Sequence, residues 1–365
     1  MKIPFFPYKD LYLQNSEEYK KIFNDVCSRG AYILQKDLEE FEEEIKKFIG
    51  VKYAFGVANG TDALILGSKA IGISRGDEVI MPSHTYIASP ASINLLGGSP
   101  ILTECGEDGM MDPEDIAKRI TKNTKAIMPV HINGRTCDME RILKISEEYD
   151  IPIIEDAAQG LGSKFNGVGA GTFGLFGTIS FYPAKLLGCF GDGGLVMTND
   201  DEIAEKLSLL RDHGRDGEGN VIEWGYNSRL DNLQAAFLNF KLKNFVNDIN
   251  KRRTFAKKYH ERLKNQDGLI LPPPPCEGKH FDVFQNYEVQ AQERDELKAY
   301  LEKKGVSSVI QWAGTPIHQF KKLGFNQDLP KTDNYFKNCL MLPMNVSLTE
   351  KKIDFISNII IDFYG

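Results

Sequence analysis

The chain has 365 residues, 42% apolar and 26% charged, with a formal net charge of −7. That length supports a sizeable core and two domains, and the composition is that of an ordinary globular protein. The acidic balance argues against nucleic acid as a partner, because proteins that track phosphates are usually basic, yet it leaves room for a small phosphorylated ligand held by local cations or backbone amides.

The chain starts MKIPFFPYKDLYLQN, where Lys9 and Asp10 interrupt the apolar run that a signal peptide would continue. No apolar stretch approaches the roughly 20 residues of a membrane-spanning helix. The six cysteines are scattered without a CxxC pair, so free thiols, a cytoplasmic location and no metal centre are expected. Asn59 and Asn345 match the glycosylation sequon by chance if no secretory signal is present.

Two amphipathic stretches, SEEYKKIFNDVCSRG and KDLEEFEEEIKKFIG, read as helices free to pack on either domain. From about Lys52 short β-like runs alternate with amphipathic stretches: KYAFGVAN, TDALILGSKAIG, DEVIMPSH, IASPASINLLG, SPILTEC, PEDIAKRI, TKAIMPVH and CDMERILKISEEYD. IPIIED, TISFYP and GGLVMTN follow as β-like runs, and EIAEKLSLLRDHG as a helix. Such alternation implies an α/β fold with a mostly parallel sheet covered on both faces, and ligands at the C-terminal ends of the strands. A single long helical pattern runs from Leu230 to about Leu263. Four prolines, Pro272–Pro275, punctuate the chain before a smaller α+β region built from FQNYEVQ, DELKAYLEKKG, SSVIQW and a helix near Glu350 to Phe363. The division falls near residue 245, giving a large domain (1–245) and a small one (246–365).

The strand ends carry the candidate chemistry. After KYAFGV, Gly60 and Thr61 open a helix whose free amides suit an anion, although a plain N-cap by Asn59 or Thr61 fits the same residues. After DEVIMPSH, Tyr86 can stack on a planar ligand or simply fill core. IPIIED ends on Glu155 and Asp156, with Gln159 beyond; a carboxylate ending so apolar a strand needs a partner for its charge. GAGTFG matches GxGxxG, but a strand follows it instead of a helix, so it reads as a flexible loop and not a dinucleotide site. SFYPAKLLGCFGDGG presents Lys185 just after a strand, ahead of glycines that permit a sharp turn. A lone lysine is ordinarily a surface charge. Here it keeps company with an acid, an aromatic and an anion-binding helix start, a set that suits pyridoxal phosphate.

GAYILQKDLEEFE, ANGTDAL, GDEVIMPSHTY, TKAIMPVH, IPIIEDAAQ, SFYPAKLLGCFGDGG and GYNSRLDNLQAA together resemble the DegT/DnrJ/EryC1/StrS sugar aminotransferases, over nearly the whole chain. The resemblance implies the type I fold of pyridoxal-phosphate transferases: a large domain with a mostly parallel mixed sheet between helices, and a smaller C-terminal α+β domain. It implies that Lys185 holds the cofactor covalently and moves the proton. Asp156 pairs with the pyridinium nitrogen, Gln159 meets the ring hydroxyl and Tyr86 covers the ring face. Gly60, Thr61 and Ser180 hold the phosphate, joined across a homodimer interface by Asn227 of the neighbouring subunit. Arg229, Tyr182 and His318 are expected to face substrate, a nucleotide-linked keto sugar with L-glutamate as amino donor.

Lysine at the cofactor-holding position favours transamination over the dehydration that relatives with histidine perform. FYPxKxLGxxGDGG is similar to members that aminate C-3 of the sugar, for surface glycan or related amino-sugar synthesis, with C-4 amination the alternative. A dehydratase and a non-enzymatic cofactor-binding regulator are minor alternatives. Two stretches depart from the family pattern: HINGR replaces HLYGQ, at Asn133 and Arg135, and QWAGTPIH, with Trp312 and His318, replaces HYPxPxH. Both are expected to bear on the choice of sugar.

Overall fold

The computed structural model describes residues 1–276 and 278–365. Three helices open the chain, α1 (Tyr8–Leu13), α2 (Ser16–Arg29) and α3 (Lys36–Ile49). In α3 the buried residues Leu38, Phe41 and Ile45 recur at three- and four-residue spacing and form one apolar stripe. Both α2 and α3 pack against the helix Asn232–Leu242, which settles their place beside the large sheet. The residues ahead of them go elsewhere: Ile3 bridges Val306 in the C-terminal region and joins its core.

The alternation follows as expected: β1 (Tyr53–Val57), α4 (Gly60–Ala70), β2 (Glu78–Pro82), α5 (Ala88–Asn94), β3 (Ser99–Thr103), α6 (Pro113–Arg119), β4 (Thr124–Ile127), α7 (Met139–Tyr149) and β5 (Glu155–Asp156). A hairpin of β6 (Lys164–Phe165) and β7 (Val168–Gly169) precedes β8 (Gly177–Ser180), β9 (Gly194–Thr198) and α8 (Asp201–Leu210). Ladders join β3-β2-β4 and β5-β8-β9-β1, and parallel bridges Ile127–Ile153 and Val130–Asp156 connect the two sets into one sheet. Every neighbouring pair is parallel except those that β9 makes with β8 and β1. IPIIED is less regular than its apolar run suggests. Pro152 has no N–H to give, and continuous pairing starts only at Glu155.

The long helical pattern after Leu230 is two helices, α9 (Asn232–Leu242) and α10 (Phe245–Leu263). Asn244, at φ −106° and ψ 1°, breaks the run, and its side chain donates to Asp248. Beyond lie β10 (Leu269–Ile270), β11 (His280–Phe281), β12 (Tyr287–Ala291), α11 (Arg294–Lys303), α12 (Pro330–Asn338), β13 (Cys339–Leu342) and α13 (Glu350–Tyr364). β10, β12 and β13 form a second sheet, while β11 pairs with β6 of the hairpin. SSVIQW makes no strand: Val309 bridges Met341, and the chain then turns through Trp312 and Ala313, both at positive φ. The hydrophobic cores meet along α10. Phe245 and Ile249 belong to the core under α3, whereas Phe255, Ala256, Tyr259 and Leu263 belong to the C-terminal core.

One anchor holds the centre of the large sheet. Glu155, wholly buried, accepts the backbone N–H groups of Phe173 and Gly174 on Oε1 (2.6 and 2.8 Å) and of Gly171 on Oε2 (2.7 Å). His131 Nε2 also reaches Oε2 at 2.8 Å. The N–H of Cys137 donates to His131 Nδ1, so the ring is neutral with its proton on Nε2, donating to Glu155. GAGTFG, expected to be a flexible loop, is therefore fastened over a buried carboxylate. Glu155→Gln puts an NH2 where a donor already points and should lower stability by about 2–4 kcal/mol, read as a lower urea midpoint at unchanged slope.

Candidate active site

The ends of β1, β2, β4, β5 and β8 meet at one rim of the sheet, as parallel α/β sheets arrange their ligand sites. There they line a cleft of about 740 Å³, whose walls include Gly60, Thr61, Tyr86, Asp156, Gln159, Ser180, Tyr182 and Lys185. The antiparallel course of β9 makes the meeting possible. Gly194 pairs with Val57 on one side and Ser180 on the other. A Cβ at Gly194 would collide with the Asn59 carbonyl at the start of α4. The glycines after Lys185 were expected to supply a sharp turn. Instead none of Gly188, Gly191, Gly193 and Gly194 has positive φ, and Gly188 and Gly194 serve close backbone approach.

At the head of α4, Asn59 Oδ1 accepts the N–H of Asp62, and the Asn59 carbonyl accepts that of Ala63. The N-cap and the anion-site readings thus coexist, because the cap leaves the Gly60 and Thr61 amides toward the cleft. Gly60 lies so near Ser180 that a Cβ on it would stand 3.0 Å from the serine Cβ. Two amides, a hydroxyl and a helix N-terminus make a cradle of phosphate size.

Asp156 is almost fully buried. Its Oδ1 accepts the Ala158 N–H at 3.0 Å and its Oδ2 the Ser89 hydroxyl at 2.7 Å, with Thr85 Oγ1 2.6 Å beyond Ser89. Ser89 escaped the sequence reading; its only signal was a small polar residue inside the apolar run IASPASINLL. Lys185 faces the same space. Burial lowers its amine to about 8, against the attraction of Asp156. Such an amine is available as a base near neutral pH. Gln159 has its Oε1 fixed by the Asn133 N–H at 2.8 Å, which leaves Nε2 to donate. Tyr86 is 56% exposed, its ring centroid 6.3 Å from that of Trp312 on the opposite wall.

Other expectations change. His318 does not line the cleft: its Nδ1 lies 2.8 Å from Ser83 Oγ and its Nε2 3.0 Å from Asp333, so it is buried as a structural link. Trp312, half-buried, lines the cleft instead. In HINGR only Ile132 lines the cleft, while Asn133 and Arg135 line a separate cavity of about 60 Å³. Arg229 is paired with Asp212 at 2.7 Å, and neither it nor the exposed Asn227 lines the cleft of its own chain. Asp192, unremarked in the sequence, does line it. Among the described residues no group of three or more His, Cys, Asp or Glu is placed to hold a metal ion, and no helix is long and apolar enough to cross a membrane.

The set fits pyridoxal phosphate on structural grounds: a phosphate-sized cradle, a desolvated amine, a buried carboxylate held by two donors, and an uncovered aromatic ring. Comparison with known proteins agrees. The model of the DegT/DnrJ/EryC1/StrS aminotransferase family matches residues 14–361. The chain is 37% identical to the dTDP-3-amino-3,6-dideoxy-alpha-D-galactopyranose transaminase of Aneurinibacillus thermoaerophilus, covering 96% of this chain and 97% of that protein. It is 35% identical to a protein of Geobacillus stearothermophilus named pleiotropic regulatory protein, covering 100% and 99%. Its fold superposes on S. venezuelae DesV, solved in complex with a ketimine intermediate, with a TM-score of 0.95 at 33% identity, covering 100% and 98% of the two chains. The chain therefore belongs to the DegT/DnrJ/EryC1/StrS aminotransferase family, and its cofactor is pyridoxal 5′-phosphate.

Proposed function

We propose that the protein transfers the amino group of L-glutamate to C-3 of a nucleotide-linked 3-keto-6-deoxyhexose, for surface glycan or related amino-sugar synthesis in the cytoplasm, and that it works as a homodimer. The carrying observation is the amine of Lys185, lowered to about 8 by burial and standing in one cleft with Asp156. Bound pyridoxal phosphate supplies the electron sink and stores nitrogen between the two halves of the reaction. The residues do the rest. The amides of Gly60 and Thr61, with Ser180 Oγ, hold the phosphate. Asp156, held by the Ser89 and Ala158 donors, would meet the ring nitrogen. Tyr86 covers the ring, and Gln159 donates to its hydroxyl oxygen. Lys185 takes the proton from the donor's α-carbon and returns one to the sugar carbon.

C-3 is supported by FYPAKLLGCFGDGG and by the 3-amino name of the Aneurinibacillus relative. The dimer is supported by charge. Among the described residues lining the cleft Lys185 is the only cation, against Asp62, Asp156 and Asp192. A nucleotide diphosphate and glutamate both need more positive charge than that. Arg229 and Asn227 sit on a segment that reaches away from their own cleft, with Trp224 89% exposed beside them. In a second copy's site they supply a guanidinium and a phosphate-binding amide.

The regulator name of the Geobacillus relative favours one other reading, cofactor binding without turnover. A screen of 3-keto and 4-keto nucleotide sugars with glutamate separates the two. The expected product carries nitrogen at C-3 by NMR; nitrogen at C-4, or no product with any sugar, refutes the assignment. Lys185→Ala should lose all turnover and no longer be labelled when borohydride is added to the cofactor-loaded protein. Asn227→Ala should retain cofactor poorly. Mixed with Lys185→Ala it should recover part of its activity, up to about a quarter of wild type if each hybrid dimer restores one complete site. A mixture as inactive as its components speaks against the shared site.

A further inference from the structure

We propose that Glu288 is a positioning residue, which through the side chain of Asn133 fixes the Gln159 amide at the edge of the cleft that receives the cofactor's ring hydroxyl. The inference rests on the reading of Gln159 given above. Gln159 alone of the group touches the cleft; Asn133, Asn286, Glu288 and Tyr335 lie behind it, around the small cavity. Gln159 Oε1 accepts chiefly from the backbone N–H of Asn133, at 2.8 Å against 3.5 Å for Asn286 Nδ2, and Asn133 offers that N–H at φ 57°, in the left-handed region. Asparagine tolerates that region at a cost, so something must hold it there. Both ends of its side chain are held. Nδ2 donates to Glu288 Oε1 at 3.1 Å, and Oδ1 accepts from Asn286 Nδ2 at 2.8 Å. Tyr335 donates its hydroxyl to the same Glu288 oxygen at 2.8 Å.

The other oxygen of Glu288, Oε2, is buried without a hydrogen-bond partner. An ionised carboxylate in that setting is expensive, and a carboxyl carrying its proton on Oε2 costs less. Burial pushes Glu288 up to about 7, opposed by the hydrogen bonds from Tyr335 and Asn133. No cation offsets it: Arg135, across the cavity, is committed to Asp282 at 2.6 Å and lies near Asp108, and Glu107 adds further negative charge. Asn133 stands where the family often has an aromatic residue, which could not make these hydrogen bonds.

The test is a pH titration of the visible absorption band of the cofactor-loaded enzyme, whose midpoint responds to donors at the ring hydroxyl. Gln159→Ala is the reference and should move the midpoint. Glu288→Leu should move it in the same direction by about 3- to 10-fold in the acid constant, the net worth of one hydrogen bond. Glu288→Gln keeps an oxygen for both donors and should leave the midpoint at the wild-type value. Asn133→Gly cuts the link to Glu288 and frees the backbone to leave the left-handed region, so the N–H to Gln159 is no longer held in place; it should match Glu288→Leu. If Gln159→Ala moves the midpoint while Glu288→Leu and Asn133→Gly do not, the relay is overturned and Glu288 merely fills the core. If Gln159→Ala itself leaves the midpoint unchanged, the placement of Gln159 at the ring hydroxyl fails, and the relay with it.

Discussion

A single buried carboxylate organises the site. Glu155 has two oxygens and four donors, three from GAGTFG and one from His131, with no water needed to complete the set. The donors come from two segments that are distant in sequence, so satisfying one charge fixes β5, the loop before β8 and the segment after β4 relative to one another. Removing any donor would leave a charge or an N–H unpaired in a low-dielectric interior, which is costly enough to exclude alternatives. His131 then carries the restraint onward into HINGR, and from Asn133 to Gln159 at the cleft wall.

Strand geometry separates the two adjacent carboxylates. Successive side chains on a strand point to opposite faces, so Glu155 looks into the packed side while Asp156 looks into the cleft. Both are buried, and their roles differ because their donors differ. Glu155 is saturated by protein, while Asp156 has two donors and faces open space beside Lys185. The same division between a saturated scaffold and an unsaturated rim recurs at α4, where Asn59 occupies the Asp62 amide and leaves those of Gly60 and Thr61.

Most of the sheet and of the residues lining the cleft were legible in the sequence, because both depend on local pattern. Apolar runs marked the strands, and the residues just beyond them had to sit at the rim of a parallel sheet. The failures share a cause, namely dependence on partners distant in sequence. His318 resembled a substrate ligand until Ser83 and Asp333 closed on both its nitrogens. GAGTFG resembled a loose loop because nothing in it reveals Glu155 beneath. The glycines after Lys185 were assigned to a turn, but Gly194 is needed because Asn59, far away in sequence, comes within reach of its Cα. Ser89 was invisible for the same reason. The break at Asn244 was missed because helical periodicity continues across it while the partners change, α3 on one side and α13 on the other.

That change of partners matters beyond the site. α10 is 19 residues long, about 28 Å at helical rise, and it is one rod with its two halves set in two cores. Melting either core would strip one half of the helix of its packing, and a short exposed helix is not stable by itself in water. Ile3, paired beside Val306 ahead of helices that pack on the other core, adds a second tie. The two parts are therefore coupled in stability: losing either core takes away half of the packing that keeps this helix folded for the other.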